Sequence, residues 1–169
     1  IVTEDETSEL RDLYDKYQGM QSKLIAHHSD FAKTRNAAFQ GFADFEKFMK
    51  VLEFYSGNIY QLPNIDQLDK FDLVTYFFKT KLALQTRFYY MQRFLGGDDR
   101  TAMLDELEGA WEELVDESEE LAELELTDVQ IRDGSFAGST YATILGTQIE
   151  GHKANFDELT NKYDVFRKT

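Results

Sequence analysis

The amino-acid sequence predicts an all-α protein, an antiparallel up-down-up-down four-helix bundle with a long first helix, built as one domain over residues 1–169. Apolar residues recur at steps of three and four through nearly the whole chain, which is the spacing of a helix with one buried face. One proline and ten glycines are poor material for a turn-rich β fold. Hydrophobic residues make up 42% of the chain, which is enough to bury a core at this length.

Composition excludes several functional classes. The chain carries 18 Lys and Arg against 32 Asp and Glu, a net charge of −14. This balance argues against nucleic-acid partners and anionic lipid surfaces, which require clustered positive charge. The absence of cysteine excludes disulfides, thiolate metal sites, covalently attached haem and a cysteine nucleophile.

The first helix is predicted from fifteen positions between Leu10 and Ile59 that alternate steps of three and four without interruption. Thr3 and Glu6 form a possible capping box, and Gly57-Asn58 marks the end of a helix of about 50 residues. Its first ~20 residues are expected to overhang the bundle or to pair with a second chain as a coiled coil.

The second helix is predicted to open at Pro63-Asn64 and to stop at Gly96-Gly97, after which Asp98 or Asp99 caps the third helix. Two apolar stripes run along the second helix, and together they predict a wide buried face. One stripe contains Ile65, Leu68, Phe71, Val74, Phe78 and Leu82, and the other contains Phe77, Leu84, Phe88, Met91 and Leu95.

The third helix has leucines and Trp111 on one side and eleven carboxylates with no Lys or Arg between Asp105 and Glu125. Because these carboxylates step around the helix, they predict a solvated face instead of a metal site. After a short strand-like alternation from Leu124 to Ile131, Asp133-Gly134-Ser135 is predicted to precede the fourth helix. Its apolar series runs to the end of the chain without a stop signal, so the helix is expected to continue beyond Thr169.

Catalytic motifs are missing from the sequence. No Glu stands three residues before a histidine, and His-Glu-x-x-His, Walker A and Gly-x-Ser-x-Gly do not occur. Gly134 to Gly138 has the glycine spacing of a phosphate loop but neither a following Lys nor a preceding strand. The sequence therefore predicts that the protein is not an enzyme.

Two of the three histidines, His27 and His152, fall on apolar seams, where facing imidazoles could hold a b-type haem or a metal. Counting along antiparallel helices from residues 57 and 134 places His27 level with position 164, about twelve residues or ~18 Å from His152. A hydrogen-bonded core or interface histidine is favoured for each, His28 is expected to be exposed, and no cofactor is expected. A haem- or metal-binding bundle stays an alternative.

The same counting suggests a ligand site. It places Arg35 level with position 86 of the second helix and Arg87 level with Gly109 of the third. Thr34 and Asn155 fall at the same level. Two guanidinium groups beside these polar residues and the small Gly109 suit a carboxylate ligand. The alternative is that these arginines neutralise neighbouring carboxylates such as Glu108. The candidate ligand-binding residues are Arg35, Arg87, Thr34 and Asn155.

The segment Arg93-Phe94-Leu95-Gly96-Gly97-Asp98-Asp99, followed by a leucine-rich helix, resembles the middle hairpin of bacterial extracytoplasmic four-helix sensor domains. These are the ectodomains of chemoreceptors and sensor kinases, including the helical bimodular type. The end of the chain, from Asn155-Phe156 to Arg167-Lys168, is similar to the last sensor helix before a membrane span.

The resemblance implies a periplasmic or extracellular domain of an inner-membrane receptor. Such a domain binds a small molecule, often an organic anion, transmits a helix shift inward and forms a homodimer. A second hypothesis is an all-α extracytoplasmic interaction module without a small-molecule ligand.

Overall fold

A computed structural model describes residues 4–169, so the possible capping box at Thr3 lies outside the described residues. The described chain is all-helical, as predicted. It contains α1 (Glu4–Tyr60), α2 (Gln67–Gly96), α3 (Arg100–Glu123) and α4 (Tyr141–Arg167), with a 3-10 turn at Glu125–Thr127. Between residues 4 and 169 the β structure is limited to an isolated bridge that joins Gln130 and Thr140.

The chain divides into two compact units, to which α1 and α4 both contribute. The first unit contains residues 4–39 and Asn155–Thr169, and the second unit is Gln40–Ala154.

The second unit has a core built from all four helices. Phe45, Leu73, Leu114 and Leu121 are fully buried there, and Leu145 is nearly so. The helical spacing of the apolar residues explains this core, because each helix turns one seam inward at every third or fourth residue. Leu107 is also buried, and Ile149 packs against the core, so these two seams face inward as predicted.

The α2–α3 hairpin has the predicted register. Gly97 ends α2 in the left-handed conformation at φ 95°, and Asp99 caps α3 by accepting a hydrogen bond from Ala102 N at 2.8 Å. Farther from the turn, Lys79 Nζ in the first half of α2 donates to Glu117 Oε1 in the second half of α3 at 3.1 Å, as an antiparallel hairpin requires.

The start of α2 differs from the prediction. Asp66 is the N-cap, and its side chain accepts a hydrogen bond from Leu68 N at 2.7 Å. Pro63-Asn64 instead lies in the turn between α1 and α2. The buried Lys70 also stabilises this turn, because its Nζ donates a hydrogen bond to the carbonyl of Leu62.

The segment between α3 and α4 is longer than the predicted turn. Thr127 Oγ1 donates to carbonyls at the end of α3, and Ile131 N donates to Ser139 O at 2.8 Å. α4 then begins at Tyr141, six residues later than Ser135, with Thr140 Oγ1 accepting from Thr143 N.

One of the two apolar stripes of α2 is exposed, which corrects the prediction of a single wide buried face. Phe77, Leu84 and Met91 are buried, whereas Leu68, Phe71, Phe78 and Leu82 are 54–72% exposed. Both stripes have helical spacing, but Leu68, Phe71, Phe78 and Leu82 of the first face solvent. Of its other two residues, Val74 is half-buried and Ile65 packs against the core from the turn before α2.

The carboxylates of α3 lie on a solvated face, as predicted. All eleven between Asp105 and Glu125 are exposed except Glu117, which is half-buried beside Lys79.

The first unit packs aromatic rings between α1 and α4. The Phe31 ring stacks on Phe166 at 5.5 Å and contacts Tyr163 at 5.4 Å between ring centroids. Asp30 forms a 3.0 Å salt bridge with Lys162, and the hydrogen bond from that ammonium group lowers the pKa of Asp30.

An exposed apolar stripe occupies the N-terminal part of α1. It consists of five side chains at steps of three and four, each 46–65% exposed, namely Leu10, Leu13, Tyr17, Met20 and Leu24. We call these five residues the α1 stripe. The stripe lies in the segment that was predicted to overhang the bundle or to pair with a second chain, and that arrangement stays a prediction.

Candidate functional site

Arg87 is a charged side chain in the core of the second unit. It occupies the buried seam of α2 and is only 4% exposed. Its Nε donates to the carbonyl oxygen of Leu107 at 3.4 Å, and its guanidinium carbon lies 4.8 Å from the ring centroid of Trp111. An aromatic face and a carbonyl thus stabilise the positive charge on the side of α3.

His152 is the second ionisable group of this core. It lies on α4, is 3% exposed and contacts the Phe45 ring edge-on at 6.1 Å. Burial is the main cause, and the positive charge of Arg87 the second, that lowers the pKa of His152 from 6.5 to about 3. The imidazole is therefore neutral at pH 7, and its predicted place in the core is confirmed.

The Trp111 ring contacts a second cation besides Arg87. The half-buried indole has the guanidinium of Arg87 on it and Lys153 Nζ at 5.2 Å from the ring centroid. Arg87, Trp111 and His152 form what we call the Arg87 cluster. The cluster offers guanidinium, indole and imidazole groups as hydrogen-bond donors, a set that suits an anion.

Arg87 was predicted as a site residue from the sequence, whereas its neighbours in the cluster, Trp111 and His152, were not. Leu107 and Trp111 stand two residues before and after Gly109, the position predicted to lie level with Arg87. The hairpin register was therefore sufficient to find Trp111. Gly109 itself is exposed, with open space around it, because two residues of helix turn it about 200° away from Leu107.

The other predicted ligand-binding residues belong to the first unit. Arg35 is exposed, its guanidinium lies 6.0 Å from the Phe31 ring centroid, and its Nη2 donates to Asn36 Oδ1 at 3.5 Å. Thr34 and Asn155 are half-buried. Arg87 belongs to the second unit, so the joint carboxylate site of these four residues stays a prediction.

The remaining histidines lie in the first unit. His27 Nδ1 is 2.5 Å from Thr169 Oγ1, and the exposed His28 ring contacts Phe166 at 5.4 Å. Over residues 4–169 no group of three or more His, Asp or Glu side chains is arranged to hold a metal ion.

No protein-family profile, curated protein or solved structure matches this chain. None of the helices over residues 4–169 combines the length and the apolar character that a membrane crossing requires.

Proposed function

We propose that this chain is the ligand-sensing domain of a membrane-anchored signalling receptor, located outside the cytoplasmic membrane, and that it binds a small organic anion. The burial of the Arg87 guanidinium in the core of the second unit is the observation that carries the proposal. The all-helical fold and the Arg93–Asp99 hairpin, which resembles that of extracytoplasmic sensor domains, support it as well.

The ligand of this proposal is a carboxylate held by the Arg87 cluster. A guanidinium group presents parallel N–H donors that match the two oxygens of a carboxylate, and burial strengthens such charge-assisted bonds. A neutral His152 places no second positive charge beside the ligand but still offers one N–H donor. Arg35, with Thr34 and Asn155, is the sequence-predicted contribution of the first unit and is tested separately.

The signalling step of this proposal is a small shift of α4 in an up-down-up-down four-helix bundle. His152 on α4 lies near enough to Arg87 on α2 for the guanidinium charge to lower its pKa. An anion that neutralises Arg87 changes the electrostatic field at α4. If the ligand binds one packing of the helices a few kcal/mol more tightly than another, it shifts the equilibrium between the two packings. The receptor acts as a homodimer without enzymatic activity in this domain.

The experiment measures the thermal unfolding temperature by calorimetry with acetate, succinate, citrate and benzoate. We expect at least one carboxylate to raise the temperature of the wild-type chain and to lose its effect in Arg87→Lys, because an ammonium group cannot bind bidentately. Arg132→Lys changes an exposed arginine of the same unit and is the matched control. Arg35→Lys tests the prediction for the first unit.

Two results contradict this proposal. One is that none of the four carboxylates stabilises the wild-type chain at millimolar concentration. The other is that a stabilising carboxylate acts equally on the wild type and on Arg87→Lys.

A second candidate function is an interaction module that binds another protein through a helix face. The exposed α1 stripe favours it, because soluble monomers rarely expose apolar residues in a continuous row. In this proposal the Arg87 cluster is a structural part of the core, and no carboxylate stabilises the chain.

A further inference from the structure

α2 carries two uninterrupted series of positions at steps of three and four. The first is buried throughout and forms the contribution of α2 to the core. Its seven residues are Leu73, Phe77, Thr80, Leu84, Arg87, Met91 and Phe94.

The second series runs along the exposed side of the same helix. At 100° per residue, its positions lie about 180° from those of the buried series. Five large side chains of this series are 53–72% exposed, namely Leu68, Phe71, Phe78, Leu82 and Tyr89, with Thr75 and Gln85 at the remaining positions. We call these seven residues the α2 face.

The α2 face has the pattern of a coiled-coil seam. Its positions keep the alternation of three and four over three heptads, a length of about 31 Å. A helix that is apolar on two opposite sides is typical of the interior of a larger assembly. The core of the second unit explains the buried series, so the α2 face needs another surface to cover it.

The exposed area is enough for self-association. An aromatic side chain carries about 150–250 Å² and a leucine somewhat less, so three aromatic side chains and two leucines at this exposure present about 500–600 Å² of apolar surface. Two copies of the face then bury roughly 1,000–1,200 Å², which is the lower limit for a specific interface. A face of this size fits a weak, reversible dimer.

Charges beside the α2 face favour an antiparallel pair. With Thr75 of one copy opposite Phe78 of the other, Asp72 of each copy lies beside Lys79 of the second copy, and this attraction occurs twice. A parallel pair instead places Lys79 beside Val74 and Asp72 beside Gln67, without any attraction. Lys79 also donates to Glu117 of its own chain, and its ammonium group has donors for both carboxylates.

We infer that the α2 face docks antiparallel on the α2 face of a second copy of this chain, which makes α2 a dimerisation helix separate from the α1 stripe. The inference does not depend on ligand binding by the Arg87 cluster. It rests on the homodimer of the proposed function and names the surface that forms it, whereas the carboxylate experiment tests the ligand site separately, so the failure of one can be told from the failure of the other.

Sedimentation equilibrium of the full chain at concentrations from 1 to about 300 μM tests the inference. We expect a reversible dimer that Phe71→Glu/Phe78→Glu weakens about 30-fold or more, because buried charges replace two aromatic contacts on each copy. The control Phe54→Glu changes an exposed phenylalanine of α1 in the same unit and is expected to alter the dissociation constant less than threefold. Circular dichroism checks that each variant stays helical.

A charge exchange tests the orientation. Asp72→Lys alone is expected to weaken the dimer, because it places two lysines together, and Asp72→Lys/Lys79→Asp is expected to restore it. Since the chain has no cysteine, a spin label on Gln85→Cys is unique. Two labels about 30 Å apart agree with the antiparallel pair, whereas about 10 Å indicates a parallel one.

Three outcomes overturn the inference. The first is a monomer at every concentration. The second is a dimer that Phe71→Glu/Phe78→Glu does not weaken. The third is a dimer that Leu13→Glu/Tyr17→Glu in the α1 stripe abolishes while the α2 variant leaves it intact.

Discussion

Arg87 and His152 are two ionisable side chains inside an apolar core, and they affect stability in different ways. The arginine keeps its charge at every accessible pH, and Trp111 and the Leu107 carbonyl stabilise that charge. The histidine stays neutral because burial and the neighbouring guanidinium both oppose its protonation. Of these two groups, it is therefore His152 that makes the stability depend on pH.

We expect the protein to lose stability as the pH falls below about 6.5. The unfolded chain binds a proton at His152 near pH 6.5, whereas the folded chain binds it only near pH 3. Stability is thus complete above pH 6.5 and decreases as the pH falls towards 3. The difference between the two pKa values lowers the free energy of unfolding by about 1.4 kcal/mol between pH 7.5 and 5.5.

Urea unfolding of the wild type, His152→Gln and His28→Gln at these two pH values measures this loss. His152→Gln is expected to remove the pH dependence, and His28→Gln, which changes an exposed ring, is expected to keep it. Equal pH dependence in the wild type and in His152→Gln would contradict the prediction.

Truncation of Arg87 is expected to destabilise the second unit. Arg87→Ala leaves a cavity in the core and removes the stacking on Trp111, which together cost about 2–4 kcal/mol. Arg87→Met keeps most of the volume and is expected to cost less. Urea denaturation checks the order of the two variants, and a larger loss in Arg87→Met would contradict this account.

At the scale of elements, the helices were predictable, but the surface that covers each apolar face was not. The apolar spacing gave α1, Gly97 gave the end of α2, and Asp99 gave the start of α3, because each of these depends on local chemistry. The start of α2 at Asp66 was missed, because Pro63-Asn64 is an equally good local signal. The exposed stripe of α2 was also missed, since spacing shows that a face is apolar but not what covers it.

The residues of the candidate site were predictable only where the register between two neighbouring helices was predicted correctly. The short turn between α2 and α3 fixed Arg87 level with Leu107 and Trp111. The segment from residue 124 to 140 is longer than predicted, and it moves α4 relative to α1. As a result Phe45 meets His152, whereas counting from residues 57 and 134 paired Phe45 with position 146.

The two glycines at the end of α2 are expected to respond differently to alanine. Gly97 has φ 95°, a conformation that a side chain disfavours, so Gly97→Ala is expected to destabilise the protein by about 1 kcal/mol. Gly96 lies in the helix with open space around it, so Gly96→Ala is expected to be neutral or slightly stabilising. Thermal unfolding of both variants measures the difference in stability. A similar loss of stability in both would contradict the role assigned to Gly97.

Over the whole molecule, one continuous helix contains segments of very different burial. In α1 the α1 stripe is exposed, whereas Phe45, Phe48 and Leu52 farther along the same helix are fully buried. Local stability follows buried apolar contact more closely than it follows helical hydrogen bonding. Different parts of α1 should therefore open at different free energies.

Hydrogen exchange is expected to separate these segments. At a protein concentration below that of self-association, amides of residues 10–24 are expected to exchange about 100-fold or more faster than amides of residues 45–52. Protection of residues 10–24 that appears only at high concentration would indicate pairing of the α1 stripe. Equal protection of the two segments in the dilute monomer would contradict the prediction.

Trp111 is the chain's one tryptophan, and its indole ring lies against two cations, Arg87 and Lys153. The emission wavelength of an indole depends on nearby charge, so the ultraviolet fluorescence of the unmodified protein reports on this single location. Any event that moves or neutralises Arg87 changes that spectrum, and the molecule therefore carries its own optical probe beside the core of its second unit.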